Sequence, residues 1–218
     1  MAVSPVTIPI RSIHLSPGSH LLIENISWQQ YESILEDLGE KRSGCRINYS
    51  KSTLEIMSPL PIHERPHRII GYIVTTILDF QNRDWEDFGS TTFKRVNQAG
   101  VEPETCFYIS NSIDVRSLQR IDLEIHPPPD LAIETDVTSK TTLEAYAAIK
   151  VPELWIFANS QLKIYILAPD GYIESQISPI FPNLDIAQMI PQLVTVAFHQ
   201  GTRQMLKKLR DFLSNHCA

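Results

Sequence analysis

Three acidic side chains alternate in the segment Asp130-Leu-Ala-Ile-Glu134-Thr-Asp136 of this 218-residue chain. Side chains alternate across a β-strand, so Asp130, Glu134 and Asp136 share one face of an extended segment while Leu131 and Ile133 point to the other. At about 3.3 Å per residue, Glu134 and Asp136 stand about 6.6 Å apart along the backbone. Like charges so placed raise one carboxyl's pKa unless a cation intervenes. Oxygen-only clusters suit Mg²⁺ or Mn²⁺, which take one or two carboxylates and keep several waters. Spacing alone is equally compatible with a solvated strand end after Pro127-Pro128-Pro129.

Other groups stand near enough in sequence to join such a site. Lys140 follows Asp136 by four residues, at the start of a helical segment, where it could bend back to stabilise a developing anion or orient a water. A surface lysine is more often simply solvated. Glu102-Pro103-Glu104 enters the strand-like run Thr105-Cys-Phe-Tyr-Ile109, and by spacing alone reads as a turn with exposed charges. His63, Glu64 and His67 open a helix, where Glu64 is favourable beside the positive end of the helix dipole. The two histidines are four apart without the HExxH pattern, so a zinc-protease reading fails. No GxGxxG, GxxxxGK[ST] or GxSxG occurs, which excludes the dinucleotide, P-loop and hydrolase-elbow readings as far as motifs can.

The elements that must position these residues are legible as a mixed α/β pattern. Residues 1–26 are Pro-spotted and weakly alternating, an irregular lead-in or a short edge strand. Ser27 and Gln30 have capping-box spacing ahead of a helix that carries Trp28, Tyr31, Ile34, Leu35 and Leu38 and ends at Gly39. Arg46 to Met57 reads as a hairpin turning at Ser50-Lys51-Ser52. From about Arg65 a long helix shows two adjacent apolar rows, Ile69/Ile73/Ile77 and Ile70/Val74/Leu78, a face suited to packing on a sheet. Strands are expected at about 90–95 and 105–109, a loop or short helix at 110–120, and a helix from Thr141 to Ile149. Leu154 to Phe157 is the next strand, 162–167 and 172–177 form a hairpin around Ala168 to Gly171, and an amphipathic helix spans about 202–214.

Composition sets the bounds. A hydrophobic fraction of 43% and a charged fraction of 20% are those of a globular chain with one sizeable core. No apolar run reaches the ~20 residues of a membrane span, and the Pro-bearing start does not read as a signal peptide, so no membrane and a cytoplasmic location are expected. Cys45, Cys106 and Cys217 are far apart and lack CxxC spacing, which points to neither zinc nor disulfides. The net charge of −6 argues against a protein held on DNA by phosphate contacts alone, since those leave a basic footprint.

Taken as a set, Leu54-Glu-Ile-Met-Ser-Pro-Leu-Pro-Ile-His-Glu64, Gly100 to Ile109, Pro127 to Ser139 and Tyr146-Ala-Ala-Ile-Lys-Val-Pro-Glu-Leu-Trp155 resemble the Uma2-like family. That family belongs to the PD-(D/E)XK nuclease superfamily and is abundant in cyanobacteria. The resemblance runs over nearly the whole chain in the family's order and spacing. It implies a restriction-endonuclease-like domain over 27–218, a central mixed β-sheet flanked by helices with additional hairpins, binding Mg²⁺ (or Mn²⁺) for phosphodiester hydrolysis. Asp130 and Glu134 match the family's Pro-Asp-x-x-x-Glu strand, Glu104 stands where relatives commonly have Asp, and His63 matches a Pro-x-His position. The implied ligands are Glu104, Asp130 and Glu134. The superfamily's lysine two residues after the glutamate is Asp136 here. The position where relatives often place a lysine in the next helix is Thr142, which leaves Lys140 as the nearest substitute. The family's common dimers imply a homodimer.

Two functions from different classes follow. One is a Mg²⁺-dependent DNA endonuclease, with the three carboxylates on the metal and Lys140 stabilising negative charge. The other is a non-catalytic binding or interaction protein that keeps the fold with a degenerate metal site, favoured by the acidic net charge, the absent lysine and Glu104.

Overall fold

The computed structural model describes residues 8–39, 45–58, 61–135 and 140–216, with only the backbone course described at 61–63, 140, 141 and 216. A single 3₁₀ turn, Ile10–Ser12, precedes β1 (His20–Glu24), α1 (Trp28–Leu38), β2 (Arg46–Ser50), β3 (Thr53–Met57) and α2 (Pro61–Phe80). The middle of the chain supplies β4 (Glu86–Asp87), β5 (Phe93–Arg95), β6 (Ala99–Val101), β7 (Thr105–Tyr108) and the short α3 (Ser112–Val115). It continues with β8 (Leu131–Thr135), α4 (Lys140–Ile149), β9 (Glu153–Ala158), β10 (Gln161–Ala168), β11 (Gly171–Ser175), α5 (Ile186–Gln200) and α6 (Thr202–His216).

Two sheets result. The first runs β1-β3-β2-β6-β5, antiparallel throughout. The second runs β11-β10-β9-β8-β7-β4 and is mixed, because α4 carries the chain from β8 to a parallel β9. The lead-in is therefore not irregular throughout. Its residues 20–24 pair with β3 as an edge strand of the first sheet.

Local chemistry accounts for most boundaries. Ser27 accepts from the Gln30 amide and its own N–H donates to the Gln30 side chain, the reciprocal pair of a capping box. The β2–β3 hairpin turns through Lys51 and Ser52, both at positive φ (47° and 61°), the primed-turn geometry that matches strand twist. That turn fixes the register, placing Asn48 opposite Glu55.

The second sheet is covered on both faces. Ile69, Ile70, Ile73, Val74, Ile77 and Leu78 of α2 meet Leu131, Ile133, Trp155 and Phe157 on one side. Each such buried side chain contributes about 1.5–3 kcal/mol relative to exposure. On the other side Ala145, Tyr146 and Ile149 of α4 pack with Ala132, Leu154, Ile156 and Cys106. Both faces being apolar explains why β8 is buried from end to end. In the first sheet Ile47, Tyr49, Leu54 and Ile56 pack with Tyr31 of α1, so alternation turns Arg46, Asn48 and Glu55 to the opposite face. Among the described residues no helix is long and apolar enough to cross a membrane.

Candidate active site

The turned-in face of the β2–β3 hairpin and the even-numbered face of β8 contribute polar side chains to one buried cluster. β7 and β8 pair antiparallel with Thr105 opposite Ile133, and one step further along that register Glu104 comes opposite Glu134. Both carboxyls are buried, at 7% and 2% exposure. Like charges directly across a sheet are unfavourable, so their surroundings decide whether the fold tolerates them.

Those surroundings are specific. Glu104 Oε1 accepts from Arg46 Nη1, and its Oε2 accepts from the Thr135 amide at 2.9 Å and from the Thr135 hydroxyl. Glu134 Oε1 accepts from the Tyr146 hydroxyl. The Arg46 guanidinium donates its other terminal nitrogen to Glu64 at 2.7 Å. Glu64 in turn pairs with His67, whose second ring nitrogen meets the Thr105 hydroxyl at 3.0 Å. A second strand of the network passes through Thr142, which accepts from Asn48 at 3.2 Å and donates to Glu55 at 3.0 Å. Glu102 closes the edge, accepting from the Ile47 amide and the Thr92 hydroxyl.

Electrostatics follow from this geometry. Burial, then the neighbouring Glu104, raises the Glu134 carboxyl to about 8, with Arg46 and Tyr146 offsetting part of the shift. Burial and Glu134 push the Tyr146 hydroxyl well above its ordinary value, so it remains a donor. Burial works against the Arg46 charge, but Glu104, Glu134 and Glu64 outweigh it and hold the guanidinium protonated.

Of the three expected carboxylates, Glu104 and Glu134 are neighbours and Asp130 lies apart from them. Asp130 lies at the far end of the strand, about 13 Å along the backbone from Glu134. Its Oδ2 accepts from the amides of Ile109, Ser110 and Asn111 at 2.7, 3.0 and 3.4 Å, and its Oδ1 accepts from the Asn111 side chain. Alternation says nothing about distance along a strand face. Among the described residues no group of three or more His, Cys, Asp or Glu side chains is arranged to hold a metal. Lys140 is the first residue of α4. Its side chain, that of His63, and the whole of Asp136 lie outside the described residues.

Sequence reasoning passed over Arg46, Asn48, Glu55 and Tyr146. The usable signal was the polar face of the 46–57 hairpin, where Arg46, Asn48 and Glu55 fall together once the turn sets the register. Thr142 is 1% exposed and sits inside the cluster.

The chain belongs to the Uma2 family: residues 28–198 match its sequence profile, described as "Putative restriction endonuclease". α6 lies beyond the matched span. Among solved structures, one described as "a putative nuclease belonging to DUF820 from Anabaena variabilis" is similar over 83% of this chain and 99% of its own. Its sequence identity is 13% and its TM-score 0.49. A comparison with curated proteins finds no match.

Proposed function

We propose that this chain is a nuclease that hydrolyses DNA phosphodiester bonds with a divalent cation, Mg²⁺ or Mn²⁺, held by Glu104 and Glu134. The observation that carries the reading is the buried pair of neighbouring carboxyls Glu104 and Glu134, which on its own is unfavourable for folding. The donor set fits such an ion, since Mg²⁺ is commonly held by one or two carboxylates with water and phosphate oxygens completing the shell. When bound, the ion supplies Lewis acidity toward a phosphate oxygen. The chain's own residues do the positioning. Thr135 anchors Glu104 through two donors, and Tyr146 fixes the rotamer of Glu134. Asp130 acts at a distance by holding the 109–111 loop against the start of β8. Lys140 is the proposed source of positive charge toward the reacting phosphate. A homodimer, suited to cutting two strands by two-fold symmetry, is part of the same proposal.

A second reading has specific support. Arg46 already pairs with Glu104, and the uncharged Thr142 fills the position where relatives often have a lysine. Both features favour a binding or interaction protein that retains the nuclease fold. Nicking of supercoiled plasmid under Mg²⁺ and Mn²⁺ titration, with Glu134→Gln as control, separates the two. Metal-dependent nicking lost in Glu134→Gln supports the nuclease. Nicking that persists in the variant, or none in the wild type, favours the second reading.

A further inference from the structure

We infer that Arg46 is the resident cation of the Glu104–Glu134 pair, and that a divalent ion binds there only in exchange for it. The inference rests on reading this pair as the metal site.

The geometry restricts how Glu104 can be used. Its Oε2 is taken by both donors of Thr135, and its Oε1 is taken by Arg46. A divalent ion ligated by Glu104 must therefore share or take over the oxygen that a guanidinium now holds. Two cations on one buried oxygen repel strongly, because the surrounding dielectric is low. The Arg46 side chain is only 12% exposed, so water cannot screen that repulsion.

The network also provides a place for the displaced group. Arg46 Nη2 holds Glu64 at 2.7 Å, and the Glu64 side chain is 31% exposed. Releasing Glu104 leaves the guanidinium on a partner nearer solvent, which avoids the cost of an unpaired buried charge. Glu64 is itself positioned by His67, which in turn reaches Thr105, the residue after Glu104.

Two consequences follow. Without metal, Arg46 neutralises Glu104 and offsets part of the repulsion that appears when Glu134 ionises. Metal affinity is lowered by whatever it costs to move Arg46 toward Glu64.

The test uses the full chain with Mn²⁺ alone as the probe. Titration calorimetry and thermal melts are compared for wild type, Arg46→Gln and the double variant Arg46→Gln/Glu134→Gln. Arg46→Gln is expected to melt lower than wild type in chelator, to bind Mn²⁺ at least tenfold tighter, and to show a larger Mn²⁺-induced rise in melting temperature. The double variant is expected to lose that gain. Arg46→Lys keeps one charge with a single point of contact, and is expected to bind Mn²⁺ with intermediate affinity. It keeps the test decisive if Arg46→Gln does not fold. Mn²⁺ affinities within twofold of wild type in both Arg46 variants, or no Mn²⁺ binding in any protein, would overturn the exchange. Plasmid cleavage by wild type with unaltered Mn²⁺ affinity in the variants sinks the exchange and leaves the nuclease reading standing. Tighter Mn²⁺ binding with no cleavage by any variant keeps the exchange and sinks the nuclease reading.

Discussion

Glu104, the residue before β7, neighbours Glu134 of β8, and among the described residues the cation of this pair, Arg46, bonds Glu104. Arg46 bonds Glu104 directly and acts on Glu134 through space alone. The two carboxyls are therefore chemically unequal despite their symmetric placement. Glu104 is held by an arginine and a threonine, whereas Glu134 has a tyrosine hydroxyl and a raised pKa. A buried carboxyl whose pKa is strongly raised beside a charged neighbour is a recurrent feature of functional sites.

This inequality predicts a pH signature. A carboxyl raised from 4.5 to about 8 in the folded state contributes stability that is full below about pH 4.5. That contribution is lost as pH rises toward 8. The loss is on the order of a few kcal/mol. Glu134→Gln cannot ionise, so its melting temperature in chelator should overtake that of wild type progressively between pH 5 and 8. Parallel melting curves for the two proteins across that range would show that Glu134 is not the titrating group.

Thr142→Lys tests the nuclease reading from the opposite direction. Thr142 bridges Asn48 and Glu55 inside the cluster, so a lysine there enters among carboxylates. The larger side chain should cost about 1–3 kcal/mol through overpacking. If the pair is catalytic, the added charge should raise Mg²⁺-dependent plasmid nicking at least tenfold. A folded variant with no gain in nicking would count against the reading.

Gly100→Ala probes the seam between the first sheet and α1. A Cβ at Gly100 would lie 2.0 Å from the Tyr31 hydroxyl oxygen, and that ring is stacked on Tyr49 at 4.8 Å between centroids. The tyrosine cannot move without disturbing the stack. A loss of about 1–3 kcal/mol in urea unfolding is expected. A variant as stable as wild type would mean that α1 is free to shift outward.

The sequence made the local elements readable and left their assembly hidden. The Ser27 cap, the 46–57 hairpin and the apolar rows of α2 depend on near neighbours, and alternation or i, i+4 spacing reports them directly. α5 is harder to see. Pro191 lies inside it, where a proline ordinarily argues against a helix, and Ala187, Met189, Val196 and Phe198 spread apolar residues beyond the buried stripe of Ile186, Ile190, Leu193 and Val194. At the candidate site, strand alternation singled out Glu134, and Glu104 was legible through the family resemblance alone. Arg46, Asn48 and Glu55 reach the same cluster from another sheet. No periodicity in one strand reveals which sheet will face it.

Asp130 provides the sharpest test of how the acidic strand is used. Its carboxylate receives three backbone amides and one side-chain amide from residues 109–111, and charge-assisted bonds of this kind are about twice as strong as neutral ones. Asp130→Asn retains one acceptor oxygen but turns an amide toward the Asn111 side chain, setting two donors against each other. A loss of about 1–3 kcal/mol is expected in urea unfolding. The Mn²⁺ affinity should stay within twofold of wild type, because the side chain serves the loop and not the Glu104–Glu134 pair. Glu104→Gln, by contrast, should abolish Mn²⁺ binding. The decisive comparison is calorimetric Mn²⁺ titration beside urea unfolding for both variants. Abolished Mn²⁺ binding in an Asp130→Asn protein of unchanged stability would mean that Asp130 turns from the loop to ligate the ion, and the two-carboxylate site would then be wrong.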